Sequence, residues 1–170
     1  LKIAPSLATY NVLLEAYIGV NNAARFNQIL ALISDSGISS DADTFASLLQ
    51  LSCNSADRER FYGVLVTFRE SRLDPSLRFF TALVRGHVVF DEFHQALDVY
   101  NEIRPRKLNL TYPLFDLFLA ACGELKDLKR ARLFLADLLV NPDFVDLKAA
   151  MNRFLRVMIQ CGEPRARCET

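Results

Sequence analysis

ATYNVLLEAY, at residues 8–17, decides the fold, because the chain returns to its pattern three more times. DTFASLLQLS occupies 43–52, RFFTALVRGH 78–87 and PLFDLFLAAC 113–122, each starting 35 residues after the one before, without a gap. An aromatic holds the third place every time: Tyr10, Phe45, Phe80 and Phe115. Leu13, Leu48, Leu83 and Phe118 follow three residues later. Residues three apart share one side of a helix, so each stretch reads as the start of an amphipathic helix. A fixed period of this size marks stacked supersecondary units.

The second half of each period repeats as well. Ile29, Val64, Val99 and Phe134 keep the spacing, as do Leu30, Leu65, Tyr100 and Leu135, and then Ile33, Phe68, Ile103 and Leu138. Apolar places at i, i+1 and i+4 make one broad stripe and predict a second helix per unit. First helices are expected near 8–19, 43–53, 78–88 and 113–123, and second helices near 23–35, 58–70, 92–103 and 127–139. A further helix is expected near 145–160. Ser6, Asp41 and Ser76 stand where N-caps are needed, because a side-chain oxygen there can accept from an otherwise unpaired helix N–H. Gly37 stands where a second helix ends and a left-handed residue is wanted. A single hairpin of this kind cannot bury its stripe; neighbours bury it by stacking. The expected fold is therefore all-α, a right-handed superhelical α-solenoid of antiparallel helix hairpins. It is divided into repeats at about 7–41, 42–76, 77–111 and 112–146, with 147–170 as a capping helix or partial fifth repeat and tail.

Composition narrows the function. Across 170 residues, 20 Lys and Arg meet 20 Asp and Glu, whereas nucleic-acid-binding domains usually show a basic excess. Residues 1–75 carry 6 basic and 8 acidic side chains, so the excess of cations lies later in the chain. Lys126, Lys129, Arg130 and Arg132 form one basic-surface candidate, beside Arg104, Arg106 and Lys107 and the group Arg153, Arg156, Arg165 and Arg167. Acidic neighbours make a solvated helix face the simpler reading of each. Cys53, Cys122, Cys161 and Cys168 contain no C-x-x-C, and His87 and His94 are seven apart, so neither a metal site nor a disulfide framework is expected. No Walker loop, G-x-S-x-G or G-x-G-x-x-G occurs, and no cofactor, enzyme activity or small-molecule substrate is expected. No apolar run is long enough for a membrane span.

The 35-residue period, Thr9-Tyr10-Asn11, its variant Thr44-Phe45-Ala46, ALDVYNEI at 96–103 and the Pro75-Ser76 junction resemble pentatricopeptide repeats over about residues 5–146. Tetratricopeptide repeats share the hairpin plan, but their period is about 34 and their opening carries a Trp, which this chain lacks.

The resemblance implies organellar RNA metabolism, mitochondrial or in another organelle, with single-stranded or ribosomal RNA and protein subunits of a larger complex as partners. It also implies that two side chains per repeat read one unstacked base through hydrogen bonds. Carried over here, the pairs are Asn11 with Asp41, Ala46 with Ser76, Thr81 with Thr111, and Asp116 with Asp146. The base-contact candidates are accordingly Asn11, Asp41, Ser76, Thr81 and Thr111; an Asn–Asp pair resembles a uridine reader. The pattern is uneven. Ala46 has no polar side chain, and Asp116 with Asp146 would place two acids together. The family's base-sandwiching Val or Ile is replaced by Ala8, Asp43, Arg78 and Pro113. Its basic residue late in the first helix is replaced by Gly19, Asn54, Val89 and Glu124. Two functions stay open: a non-catalytic scaffold of an organellar ribonucleoprotein with weak RNA binding, and a purely protein–protein scaffold.

Overall fold

The computed structural model describes residues 5–140 and 147–162; Asp146 and the tail cations Arg165 and Arg167 lie outside them. The helices run α1 (Leu7–Gly19), α2 (Ala23–Asp35), α3 (Ala42–Asn54), α4 (Arg58–Ser71), α5 (Leu77–Val89), α6 (Phe93–Asp98), α7 (Tyr100–Ile103), α8 (Tyr112–Leu125), α9 (Leu128–Leu139) and α10 (Leu147–Gln160). There is no strand among the described residues, and no helix there is long and apolar enough to cross a membrane. First helices begin at Leu7, Ala42, Leu77, Tyr112 and Leu147, so the 35-residue interval extends to α10. The chain forms two compact units, residues 1–90 and 91–170, divided in the turn between α5 and α6.

Turn chemistry sets the period. Asn21, Ala56, Asp91 and Lys126 all have positive φ, between 51° and 60°, and stand 35 residues apart in the tight turns after first helices. Gly37, Arg72 and Lys107 (φ 66°, 55° and 53°) do the same after second helices. Left-handed backbone reverses the chain in few residues. Only one of these seven places has glycine, which adopts the conformation without steric cost. Helix starts are equally periodic. Asn22, Asp57 and Asp127 each accept from the backbone N–H three residues on, closing α2, α4 and α9.

In the first unit α3 packs between α1, α4 and α5. Tyr10, Phe45 and Phe80 are buried as the repeat requires, and in the second unit so is Phe115. Of the expected row, Leu83 and Phe118 are buried and Leu48 is half-buried, and a second row one place on is buried throughout. Leu14, Leu49, Val84 and Leu119, four residues after the aromatics, are fully buried, whereas Leu13 is 37% exposed. α1 packs chiefly against α2 and α3. Phe26, Phe61, Ala96 and Ala131 form a second fully buried row. Its mixture of large and small side chains hides it in the sequence.

The second unit packs α8 against α6, α9 and α10. Tyr100 meets Phe118 and Phe134 at ring-centroid distances of 5.8 and 4.7 Å. The helix expected over 92–103 is interrupted at Val99, where Glu102 N–H bonds to the Val99 carbonyl three residues back. Its end tightens into a 3₁₀ turn, Arg104–Arg106, because Pro105 cannot donate to a further helical turn. On α10, Phe154 and Val157 are buried and Met158 half-buried. Leu155 is exposed in a row with Leu147, Met151 and Ile159, four residues apart along one face. Arg153 is half-buried and paired with Asp116 at 2.6 Å.

Candidate nucleic-acid interface

The strongest polar constellation joins α1 to the start of α3. Asp41 is the N-cap of α3: its Oδ1 accepts from Thr44 N–H at 2.8 Å, and Thr44 Oγ1 accepts from Asp41 N–H in a capping box. Asn11 of α1 closes the group from the other side. Its Nδ2 donates to Asp41 Oδ1 and Oδ2 at 3.0 and 3.2 Å, and its Oδ1 accepts from Thr44 Oγ1 at 2.8 Å. Asn11 and Thr44 are buried and Asp41 is half-buried, so the carboxylate carries what exposed edge the group has. Burial pushes the Asp41 carboxyl up, but bonds from Thr44 N–H, the Asn11 amide, the Thr44 hydroxyl and Asp43 N–H outweigh it and hold the group below its ordinary value. The two residues that the sequence pairs as a base reader are thus in contact, with a negative charge at pH 7.

The next candidate pair does not form. Ala46 is buried, and Ser76 instead caps α5, accepting from Phe79 N–H at 3.2 Å and donating to Asp43 at 2.7 Å. Thr81 on α5 is half-buried and donates to the Leu77 carbonyl at 2.8 Å, so its hydroxyl serves its own helix. Thr111 is the N-cap of α8 in the second unit, without a side-chain capping bond. Asp41 and Ser76 therefore keep the N-cap place expected of them, and Thr111, 35 residues after Ser76, shares it. Asp116 is occupied by Arg153, and its proposed partner Asp146 lies outside the described residues.

Arg78, near the start of α5, reaches Ser47 Oγ of α3 at 3.3 Å and Glu15 of α1 at 3.6 Å.

In the second unit the basic-surface candidates gather at the turn between α8 and α9. Lys126 is the left-handed turn residue, Lys129 and Arg132 are exposed on α9, and Arg130 is half-buried. With His94 and Asp127 they line an open cleft of about 560 Å³. Arg130 pairs with Asp127 at 3.4 Å and lies 3.9 Å from Asp98. The cleft is thus cationic but partly neutralised. No group of three or more His, Cys, Asp and Glu that could hold a metal occurs among the described residues.

Two curated relatives carry the description mitochondrial 15S rRNA processing factor CCM1. The protein of Meyerozyma guilliermondii is 27% identical over 124 residues, which is 71% of this chain and 19% of that protein. That of Clavispora lusitaniae is 23% identical over 128 residues, 73% of this chain and 17% of its own length. The chain thus spans less than a fifth of either relative. Among solved structures, the crystal structure of the pentatricopeptide repeat protein PPR10 from maize superposes over 98% of this chain and 26% of its own, with a TM-score of 0.51 and 17% identity. That likeness is one of fold. The model of the pentatricopeptide repeat domain matches residues 1–55 and 28–87, which together take in half of the sequence. With the 35-residue interval of its helix starts and a domain match across that much of its length, the chain belongs to the pentatricopeptide repeat family.

Proposed function

We propose that this chain is a non-catalytic helical-repeat scaffold acting in mitochondrial RNA metabolism. In this reading it binds single-stranded RNA weakly through the first-helix face around Asn11 and Asp41, and it joins other protein subunits in a larger complex. The observation that carries the RNA reading is the contact between Asn11 Nδ2 and the Asp41 carboxylate. It brings together the two side chains that the family resemblance assigns to one base, whose edge would be read by hydrogen bonds. The likeness to rRNA processing factors supports the process and the organelle.

The charge balance argues for weak binding. Each phosphate neutralised on a single strand contributes a salt slope of about 0.7, and few cations stand near Asn11. Titration of labelled single-stranded oligonucleotides at two salt concentrations tests the reading. Weak binding with a shallow slope and a preference for uridine at one position is expected. Asn11→Ala should reduce that preference by roughly one to two factors of ten. Because Asn11 is buried, the readout is the ratio between oligonucleotides, taken on variants whose melting is followed in parallel. Absence of binding at both salts would leave the second reading, a purely protein–protein scaffold. The balance of 20 basic and 20 acidic side chains favours that reading, since it lacks the basic excess usual in nucleic-acid-binding domains. Crosslinking and mass spectrometry of the native complex would show which face meets protein.

A further inference from the structure

Arg78 links three successive first helices, its own and two others. It springs from α5, takes Ser47 of α3 at 3.3 Å and reaches Glu15 of α1 at 3.6 Å. The two contacts differ in kind. Ser47 is fully buried, so it is a fixed anchor. The Glu15 carboxylate is 65% exposed, and a solvated pair at that distance is weak and readily exchanged. Both contacts use Nη2, and among the described residues Nε and Nη1 have no acceptor. A guanidinium offers its donors as a planar fork that matches a phosphate. Here most of that fork is unspent while its position is held.

The surroundings favour a nucleic-acid phosphate over an acidic peptide. Glu15 lies one helical turn from Asn11, and Arg78 lies one turn from Thr81, so the guanidinium belongs to the face that carries the base-edge candidates. Asp43, the other acid nearby, accepts from Ser76 Oγ at 2.7 Å.

We propose that Arg78 is an RNA-phosphate contact of the first unit, and that Glu15 occupies it until RNA displaces the carboxylate. This rests on the RNA reading above and adds to it a backbone contact with a built-in competitor. Glu15 is then a positioning residue that acts on RNA through Arg78.

The experiment is a double-mutant cycle on the whole 170-residue chain. Wild type, Glu15→Gln, Arg78→Gln and the double variant are titrated with a labelled oligouridine and, separately, a labelled oligoglutamate, at two salt concentrations. Melting by circular dichroism checks each fold. Glu15→Gln is expected to tighten RNA binding by about five-fold at low salt. Arg78→Gln is expected to weaken it and to flatten the salt slope by about 0.7. The double variant should match Arg78→Gln. If Glu15→Gln still tightens binding when Arg78 is gone, the carboxylate acts by general repulsion and the proposal falls. If wild type binds RNA but the cycle is flat, the proposal falls while the RNA reading stands. If the cycle responds only to oligoglutamate, the ligand class is wrong. If no form binds RNA at low salt, both are overturned.

Discussion

Phe61 of α4 occupies the space that a side chain on Gly86 of α5 would fill: a Cβ at Gly86 would clash with the Phe61 ring. The ring cannot swing away. It is fully buried and wedged edge-on against His87 at 5.6 Å and Phe90 at 5.3 Å. Gly86→Ala would therefore overpack the interior, at a cost of about 1–3 kcal/mol, despite the roughly 1 kcal/mol that alanine adds to a helix. Gly63, on the open side of α4, has nothing within 4 Å of its missing Cβ. Gly63→Ala should raise stability by about 1 kcal/mol. Urea midpoints of the two variants should move in opposite directions; a common direction would contradict the packing described.

The left-handed turns predict gains from the reverse substitution. Ala56 sits at φ 51° and Lys107 at φ 53°, where a Cβ is strained. Replacing either by glycine should stabilise the protein by roughly 0.5–1 kcal/mol, the relief of strain exceeding the added freedom of the unfolded chain. Asn21→Gly should do less, because asparagine tolerates this conformation. Thermal melts of the three variants rank them.

Asp41 gives the fold an acid limb. Its folded pKa lies below the ordinary 3.8, so its contribution is complete above that value and is lost as pH falls through the lower folded one. Stability measured at pH 5 and near pH 3 should therefore fall less in Asp41→Asn than in wild type, from a lower starting point because the cap is weakened. Asn11→Ala should move the Asp41 titration toward its ordinary value, as an NMR titration of the carboxyl would record. An unmoved titration would show that the Asn11 bond is absent in solution.

The thiols should divide by burial. Loss of hydration pushes Cys53 up to about 11, against a smaller opposing pull from Arg85. Cys122 is pushed up to about 12 by burial first and then by Asp127 and Cys161, against Arg130. Thiolate is the reactive form, so both should be inert in the native protein near pH 8. In a Cys161→Ser, Cys168→Ser background, an aromatic disulfide reagent should consume no thiol until urea unfolds the chain. Fast consumption by the folded variant would place Cys53 or Cys122 at the surface.

The sequence carries the hairpins openly. The aromatics from Tyr10 to Phe115, Gly37 and the caps Ser6, Asp41 and Ser76 all fall where the structure needs them. The row Phe26, Phe61, Ala96 and Ala131 was not legible, because bulk there is set jointly with the facing helix, as Gly86 is fitted to Phe61. Nor was the exposure of Leu13 and Leu155, which turns on which neighbours a helix has and not on its own periodicity. Of the candidate site, the pairing of Asn11 with Asp41 comes from the family resemblance and not from the residues alone. The reach of Arg78 to Glu15 could not be read, since it crosses an intervening helix and follows from side-chain direction.

The office shared by Asp41, Ser76 and Thr111 restricts what recognition could ever be written into this chain. Each stands at the entrance to a first helix, and Asp41 and Ser76 hold that helix shut with the same oxygens they would offer a ligand. A substitution chosen only for its fit to a base, such as a lysine or a leucine, would open the helix behind it. The usable alphabet at these places shrinks to the short oxygen-bearing side chains. Retargeting would then have to come from the partner place on the preceding helix, where Asn11, Ala46 and Thr81 already show how freely the chain varies.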